Sequence, residues 1–138
     1  MLEKDFVRSL RRKLKNENAV SYCIETGLTC KGFPDLYVLT LDDDFLIEVK
    51  VVNKPLPAKE VTIPWRAGQQ AWALNYAARH HRRKHTWTFV KFEDKYVLIK
   101  MSTLWDKNKI NLAHKDVHVL TESDWHKFKI SPFLLLWS

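Results

Sequence analysis

The chain has few of the residues that interrupt, cross-link or anchor a protein. Its 138 residues include three glycines, five prolines and two cysteines. Because glycine and proline are this scarce, no flexible linker divides the chain, and we expect one domain over residues 1–138. Cys23 and Cys30 cannot form a disulfide framework or a cysteine zinc site, and we expect free thiols. No apolar run reaches the roughly 18 residues of a transmembrane helix, and no secretion signal is evident, so we expect a cytoplasmic protein without membrane contact.

Several catalytic motifs are also missing. The sequence contains no glycine-rich phosphate loop and no Gly-x-Ser-x-Gly elbow, which argues against P-loop nucleotide hydrolases and serine hydrolases. Negative charge is in short supply, since 16 Asp and Glu stand against 23 Lys and Arg, a formal net charge of +7. That balance favours a polyanionic partner such as DNA.

Residues 2–15 have the periodicity of an amphipathic helix. Phe6, Val7, Leu10 and Leu14 share one face. The opposite face is basic, with Lys4, Arg8, Arg11, Arg12 and Lys15. Glu3 falls on the apolar face at the first turn, where it is either solvated by fraying or has a specific role.

The rest of the chain alternates between strand and helix patterns. Strands are predicted at 20–26, 35–41, 45–52, 86–92, 96–101 and 117–120, and helices at 67–81 and from about 121 to 129. Residues 42–44 predict a hairpin turn, and the proline-containing segment 53–64 an extended loop. The apolar tail 133–137 either packs on the core or forms a subunit contact in a homodimer. We therefore predict an α/β (α+β) fold, with a mixed central sheet flanked by helices.

An acid and a lysine interrupt the most apolar strand. Side chains alternate along a strand, so Leu46, Glu48 and Lys50 share one face. Burying such charges is costly unless something compensates them. A divalent cation would compensate acids, and a phosphate would compensate the lysine. The similar triplet at residues 93–95 lies in a turn without an apolar strand around it.

This combination suits phosphodiester hydrolysis, which needs an activated water and stabilisation of negative charge on the phosphate. Asp35, which opens the preceding strand, and Glu48 can supply carboxylates to Mg²⁺. The backbone carbonyl of Val49 can add a further oxygen. Lys50 can orient the water or offset charge on the scissile phosphate.

Three segments in order carry a family resemblance. Residues 32–39 (GFPDLYVL), 45–50 (FLIEVK) and 66–72 (RAGQQAW) resemble the PD-(D/E)XK nuclease superfamily. The chain is most similar to its VRR-NUC and Holliday-junction-resolvase-like endonucleases of phages and bacteria. The resemblance covers about residues 2–101 and leaves 102–138 as an extension. It implies a restriction-endonuclease-like αβββαβ core with the metal at a split in the sheet.

The resemblance also assigns roles to residues. It implies that Asp35 and Glu48 bind the metal, which is Mg²⁺ with Mn²⁺ as a substitute, and that Lys50 is catalytic. It implies that Gln69 supports the site and that Glu3 contributes a further acid from the first helix.

Candidate nucleic-acid contacts are the basic residues Arg8, Arg11, Arg12, Lys54, Arg66, Arg82 and Arg83. The basic cluster at 80–85 is alternatively a solvated helix end. Trp65 either stacks on a base or packs in the core. A transition-metal site formed by His114, Asp116 and His118 is a weaker hypothesis.

Two functions follow from these patterns. The first is a Mg²⁺-dependent DNA endonuclease, with structure-specific cleavage of branched or nicked DNA in recombination, repair or phage replication. The second is a nucleic-acid-binding module with a nuclease-like fold and no turnover. The presence of Asp35, Glu48 and Lys50 together favours the first.

Overall fold

The computed structural model describes residues 1–24, 34–79, 85–101, 105 and 108–137. The elements within these residues are, in chain order, α1 (Glu3–Asn16), β1 (Val20–Cys23), β2 (Leu36–Leu39), β3 (Asp44–Val51), β4 (Glu60–Thr62), α2 (Gln69–Arg79), β5 (Thr86–Lys91), β6 (Lys95–Lys100), β7 (Lys109–Asn111), β8 (Val117–Thr121), α3 (Glu122–Lys127) and α4 (Ile130–Trp137). None of the helices in this part of the chain has the length and apolar character to span a bilayer.

The main sheet confirms the predicted mixed architecture. Within the described residues it has six strands in the order β1-β2-β3-β5-β6-β8. Strands β3 and β5 run parallel, joined by the connection that contains α2, and the other neighbours run antiparallel. The succession α1-β1-β2-β3-α2-β5 is the predicted αβββαβ order, with the short strand β4 inserted before α2.

The predicted hairpin between β2 and β3 is present, and its register places the acids. Leu36 pairs with Ile47 and Leu39 with Asp44. Thr40 closes the turn, because its hydroxyl accepts the backbone N–H of Asp43 at 3.0 Å and donates to the Asp43 carbonyl at 2.9 Å. This register leaves Asp35, the residue before Leu36, opposite the middle of β3.

The two faces of the sheet carry separate apolar clusters. One face packs Ile47, Val49 and Phe89 against α1, α3 and α4. The helices contribute Phe6, Leu10, Leu14, Trp125, Ile130 and Leu134 to it. The other face packs Val90 and Ile99 beneath α2 and the β4–β7 pair. Glu48 and Lys50 point towards this second face, because they alternate with Ile47 and Val49 along β3.

The sequence did not predict two short strands that pair across a long stretch of chain, nor that the apolar tail is a short helix. The loop prediction for 53–64 is wrong at β4, which pairs with β7, a strand the sequence did not reveal. Both strands have three residues and one buried side chain, too few for a visible alternation. The apolar tail is helix α4, which packs on the core through Ile130 and Leu134. Cys30, residues 25–26 of the first predicted strand and 80–81 of the second predicted helix lie outside the described residues.

Glu17 ties the end of α1 to the start of α4. Its carboxylate accepts the backbone N–H of Ile130 at 3.0 Å and of Ser131 at 2.7 Å, which are among the N–H groups that a helix leaves unpaired. The contact spans 113 residues of sequence. It therefore attaches the C-terminal extension to the core.

We expect Glu17→Ala to lower the free energy of unfolding by about 1–3 kcal/mol, because two charge-assisted hydrogen bonds are lost. Urea denaturation measures the change. Glu60→Ala, which removes an exposed carboxylate, is the matched control and should stay within about 0.5 kcal/mol of the parent protein. Equal effects of the two substitutions would contradict the assigned role of Glu17.

Candidate active site

The predicted catalytic strand buries both of its charged residues. Glu48 is 5% exposed and Lys50 is 3% exposed. The Lys50 Nζ atom lies 3.8 Å from Glu48 Oε1, which is too far for a hydrogen bond. Within the described residues, Glu48 Oε1 has no hydrogen-bond partner. A buried oxygen without a hydrogen-bond partner carries an uncompensated desolvation cost.

Asp35 joins Glu48 at the point where β2 begins. Its Oδ2 atom accepts the backbone N–H of Val49 at 2.8 Å. The N–H and C=O of a strand residue point to the same strand edge, so the Val49 carbonyl also faces the side where Asp35 lies. The structure thus brings the two predicted carboxylates and the predicted backbone oxygen together.

The protonation of Glu48 reflects this crowding. Burial raises the pKa of Glu48 to about 9, with further increases from the hydrogen bond and the negative charge of Asp35. The positive charges of Lys50 and Arg66 lower the pKa by less. Two adjacent carboxyl groups cannot both ionise cheaply, so burial beside Asp35 favours the protonated form of Glu48 in the absence of a cation.

The residues fit a hard divalent cation. Carboxylate and carbonyl oxygens suit Mg²⁺ and Mn²⁺, and Mg²⁺ is commonly held by one or two carboxylates with waters. Among the described residues, no three His, Cys, Asp or Glu side chains form a metal-holding group. Glu3 is exposed, and it lines one surface cleft with Lys50 and another with Asp35, so it lies at the rim of the site.

A chain of clefts runs from the acids along α1. Glu3, Lys50 and Arg66 line the first cleft. Glu3, Arg8, Arg11 and Asp35 line the second. The third continues with Arg8, Arg11, Arg12 and Lys15. Because neighbouring clefts share residues, we treat them as one feature, the α1 groove, which links the predicted basic face of α1 to the carboxylate pair.

The predicted nucleic-acid contacts differ in their surroundings. Arg11 hydrogen-bonds to the Ser21 hydroxyl, the Ser21 carbonyl and the Cys23 sulfur, so its guanidinium is held against β1. Arg8 makes a 3.5 Å ion pair with Asp5 on the exposed side of α1. Arg12 is exposed in the groove.

Three further predicted contacts are Lys54, Arg82 and Arg83. Lys54 is exposed after β3, where its carbonyl accepts the backbone N–H of Glu93 at 3.0 Å. Lys54 does not line the first cleft of the groove, although the neighbouring Asn53 does. Arg82 and Arg83 lie outside the described residues.

The segment before α2 is fixed against the sheet. Trp65 is 7% exposed and its indole Nε1 donates to Thr88 Oγ1 at 3.1 Å, so Trp65 packs in the core and not on a base. Gln69 is buried, and its Oε1 accepts the Arg66 N–H at 2.7 Å, as in one half of a capping box. Gln69 therefore contacts the backbone of Arg66, which lines the first cleft. Sequence reasoning missed Thr88, which carries no local signal.

The histidine hypothesis fails on geometry. His118 packs against Phe133 and Trp137, with ring centroids 5.0 and 4.6 Å away. His114 instead accepts the Asp116 N–H through Nδ1 at 3.0 Å, before β8 begins. The described residues therefore do not assemble a transition-metal site there.

Comparisons with known proteins agree with the fold. No protein-family model matches the chain. A search of curated proteins also finds no match. Among solved structures, the chain is similar to Hjc, a Holliday junction resolvase from the archaeal hyperthermophile Archaeoglobus fulgidus. The TM-score is 0.56 at 15% identity, over 95% of this chain and 98% of that chain. This likeness shows that the chain has the fold of that resolvase, including most of the C-terminal extension.

The buried carboxyl predicts an unusual pH dependence of stability. Without metal, the native state keeps a proton on Glu48 that the unfolded chain releases above about pH 4.5, so stability falls as pH rises towards about 9. Glu48→Gln removes this loss, and its Tm at pH 8 in EDTA should exceed that of the parent by roughly 3 °C or more. At pH 4 the two values should converge.

Thermal unfolding monitored by circular dichroism tests this prediction. Glu60→Gln, at an exposed carboxylate, is the control and should follow the parent protein at every pH. Adding Mg²⁺ should raise the Tm of the parent and leave Glu48→Gln unchanged. Identical pH profiles for the parent and Glu48→Gln in EDTA would show that Glu48 is not a raised-pKa group.

Proposed function

We propose that this protein is a divalent-metal-dependent endonuclease that hydrolyses phosphodiester bonds in DNA. One observation carries the proposal: buried Glu48 and half-buried Asp35 form a carboxylate pair that lies beside the buried Lys50, where a basic groove opens. The fold shared with a Holliday junction resolvase supports branched DNA as the substrate class. Cytoplasmic action in recombination, repair or phage replication would fit such a substrate.

The chain's own residues would divide the work as follows. Asp35, Glu48 and the Val49 carbonyl would hold Mg²⁺ or Mn²⁺, which supplies charge stabilisation and an acidified water. Lys50 would place its ammonium beside the scissile phosphate and offset the charge that develops there. Arg66, which lines the cleft with Lys50, would bind a phosphate oxygen. Glu3, which lines clefts with Asp35 and with Lys50, would contribute a further acid to the site from α1.

The α1 groove would bind the sugar–phosphate backbone. Arg8 and Arg12 present exposed guanidinium groups to it, and phosphate contacts of this kind give sequence-independent affinity. Arg11 would contribute charge while being held by Ser21 and Cys23. The groove leads towards Asp35, so backbone bound along α1 would reach the carboxylate pair.

Cleavage assays on a labelled four-way junction, a nicked duplex, a linear duplex and a single strand test the activity. With Mg²⁺ we expect cleavage of the junction, no cleavage in EDTA, and a fall of at least about 10³-fold in rate for Asp35→Asn, Glu48→Gln and Lys50→Ala. The isosteric changes Asp35→Asn and Glu48→Gln keep side-chain volume, so the loss would report chemistry and not packing.

Two results would contradict the proposal. Cleavage that survives in Glu48→Gln or Lys50→Ala would place the activity at another site. Tight, metal-independent binding without cleavage of any substrate would instead support the binding-module function.

The groove assignment makes a separate prediction about salt. Arg8→Ala and Arg12→Ala should each weaken DNA binding and reduce the slope of log K against log salt by about 0.9, one phosphate contact each. Fluorescence anisotropy in EDTA measures the slope without cleavage. The control is Lys115→Ala, an exposed lysine just before β8, at the edge of the sheet opposite β1. Equal slopes for all three variants would rule out the groove.

A homodimer would allow two sites to cut opposing strands of a junction. The outer side of α4 leaves Leu136 and Trp137 exposed, at 78% and 47%, while Ile130 and Leu134 pack inward. Sedimentation velocity with and without junction DNA tests the proposal, and a monomer in both conditions would reject it.

A further inference from the structure

We infer that Asn108, in the C-terminal extension, is a positioning residue that holds the segment Ile63–Arg66 over the candidate active site. The inference deepens the proposed function, since it concerns how Arg66 is presented to the carboxylate pair. It also assigns a role to the extension, whose sequence gave none. Asn108 makes three hydrogen bonds that converge on this segment and on the start of α2.

The bonds involve both the backbone and the side chain of Asn108. Its carbonyl accepts the Ile63 N–H at 2.9 Å. Its side-chain Nδ2 donates to the Trp65 carbonyl at 3.3 Å, and its Oδ1 accepts from Gln70 Nε2 at 2.7 Å. Gln70 in turn accepts the Trp105 N–H through Oε1 at 2.9 Å.

The two backbone groups at the ends of this network determine how both amides are oriented. The Trp105 N–H can only donate, so Gln70 must offer Oε1 to it and turn Nε2 towards Asn108. The Trp65 carbonyl can only accept, so Asn108 must offer Nδ2 to it and turn Oδ1 towards Gln70. Each end requires the same arrangement in the middle, and the network is therefore self-consistent.

The backbone of Asn108 is itself adapted to the position. Its φ of 64° lies in the left-handed region, which asparagine tolerates better than most residues. That conformation directs the carbonyl to Ile63 while the side chain reaches Trp65 and Gln70. Aspartate would place a carboxylate oxygen against the Trp65 carbonyl, and glycine would keep the backbone but lose the amide.

The held segment ends at the active site. Trp65 is anchored from the other side by its bond to Thr88, which pairs in register with Glu48 across β3 and β5. Arg66 follows, lines the cleft with Lys50, and is close enough for its charge to act on Glu48. Asn108 and Thr88 thus fix the two sides of the residue that precedes Arg66. Loss of the Asn108 amide would free the carbonyl side and let Arg66 move.

The first experiment measures whether Asn108 holds the segment, and it does not require activity. Hydrogen exchange by NMR should show the Arg66 amide and the Trp65 indole N–H exchanging at least about tenfold faster in Asn108→Gly, with β5 amides unchanged. The matched control is Asn18→Gly, at the other left-handed asparagine, with φ of 62° and far along the chain. It should leave both groups unchanged. Unchanged exchange in Asn108→Gly would overturn the inference.

The second experiment asks whether Asn108 acts through Arg66. A double-mutant cycle compares the junction cleavage rate in two backgrounds. Asn108→Gly should lower this rate about tenfold in the parent protein, but less than about twofold in the Arg66→Ala variant. Equal slowing in both backgrounds would mean that Asn108 acts by another route, and would overturn the inference. If no substrate is cleaved, the proposed function fails, whereas the exchange experiment still decides whether Asn108 holds the segment.

Discussion

The burial of Glu48 beside Asp35 is the constraint on which the site depends. Glu48 is almost fully enclosed on the sheet face that carries Lys50 and the second apolar cluster, and one of its oxygens has no hydrogen-bond partner among the described residues. Burial and a neighbouring carboxylate both oppose ionisation. Without a cation, this cost favours the protonated form of Glu48. A divalent cation would meet it better, because it would neutralise both carboxyl groups at once and allow Glu48 to ionise.

The fold brings Asp35 and Glu48 together through an offset between strands β2 and β3. Strand β2 begins at Leu36, opposite Ile47, so Asp35 lies just beyond the start of β2 while β3 continues. The Val49 N–H, which would otherwise face a strand neighbour, bonds to the Asp35 carboxylate. Strand β5 closes the opposite side of β3 in parallel. The gap beside β3 is thus lined by side chains and one carbonyl, and the groove along α1 opens onto it.

Local sequence patterns predicted the parts that depend on near neighbours. The amphipathic stripe predicted α1, the apolar runs predicted β3 and β6, and the Pro-Asp opening followed by Glu48 and Lys50 identified residues that the fold brings together. The burial of Trp65 also agrees with one of the two interpretations. Contacts between distant segments were not predictable, because the partners of Asn108 and Thr88 lie 38 and 23 residues away and neither residue type is distinctive. The β4–β7 pair was not predicted either, because its two strands also lie far apart in the sequence.

The central claim is that Asp35 and Glu48 together hold one divalent cation. Crystals grown with Mn²⁺ near pH 8 and measured at the manganese absorption edge test it most directly. The account predicts an anomalous peak about 2.2 Å from carboxylate oxygens of both Asp35 and Glu48, with the Val49 carbonyl also in reach. The peak should be absent in Glu48→Gln. A well-ordered structure with no peak between these two residues, or with manganese bound only elsewhere, would contradict the account.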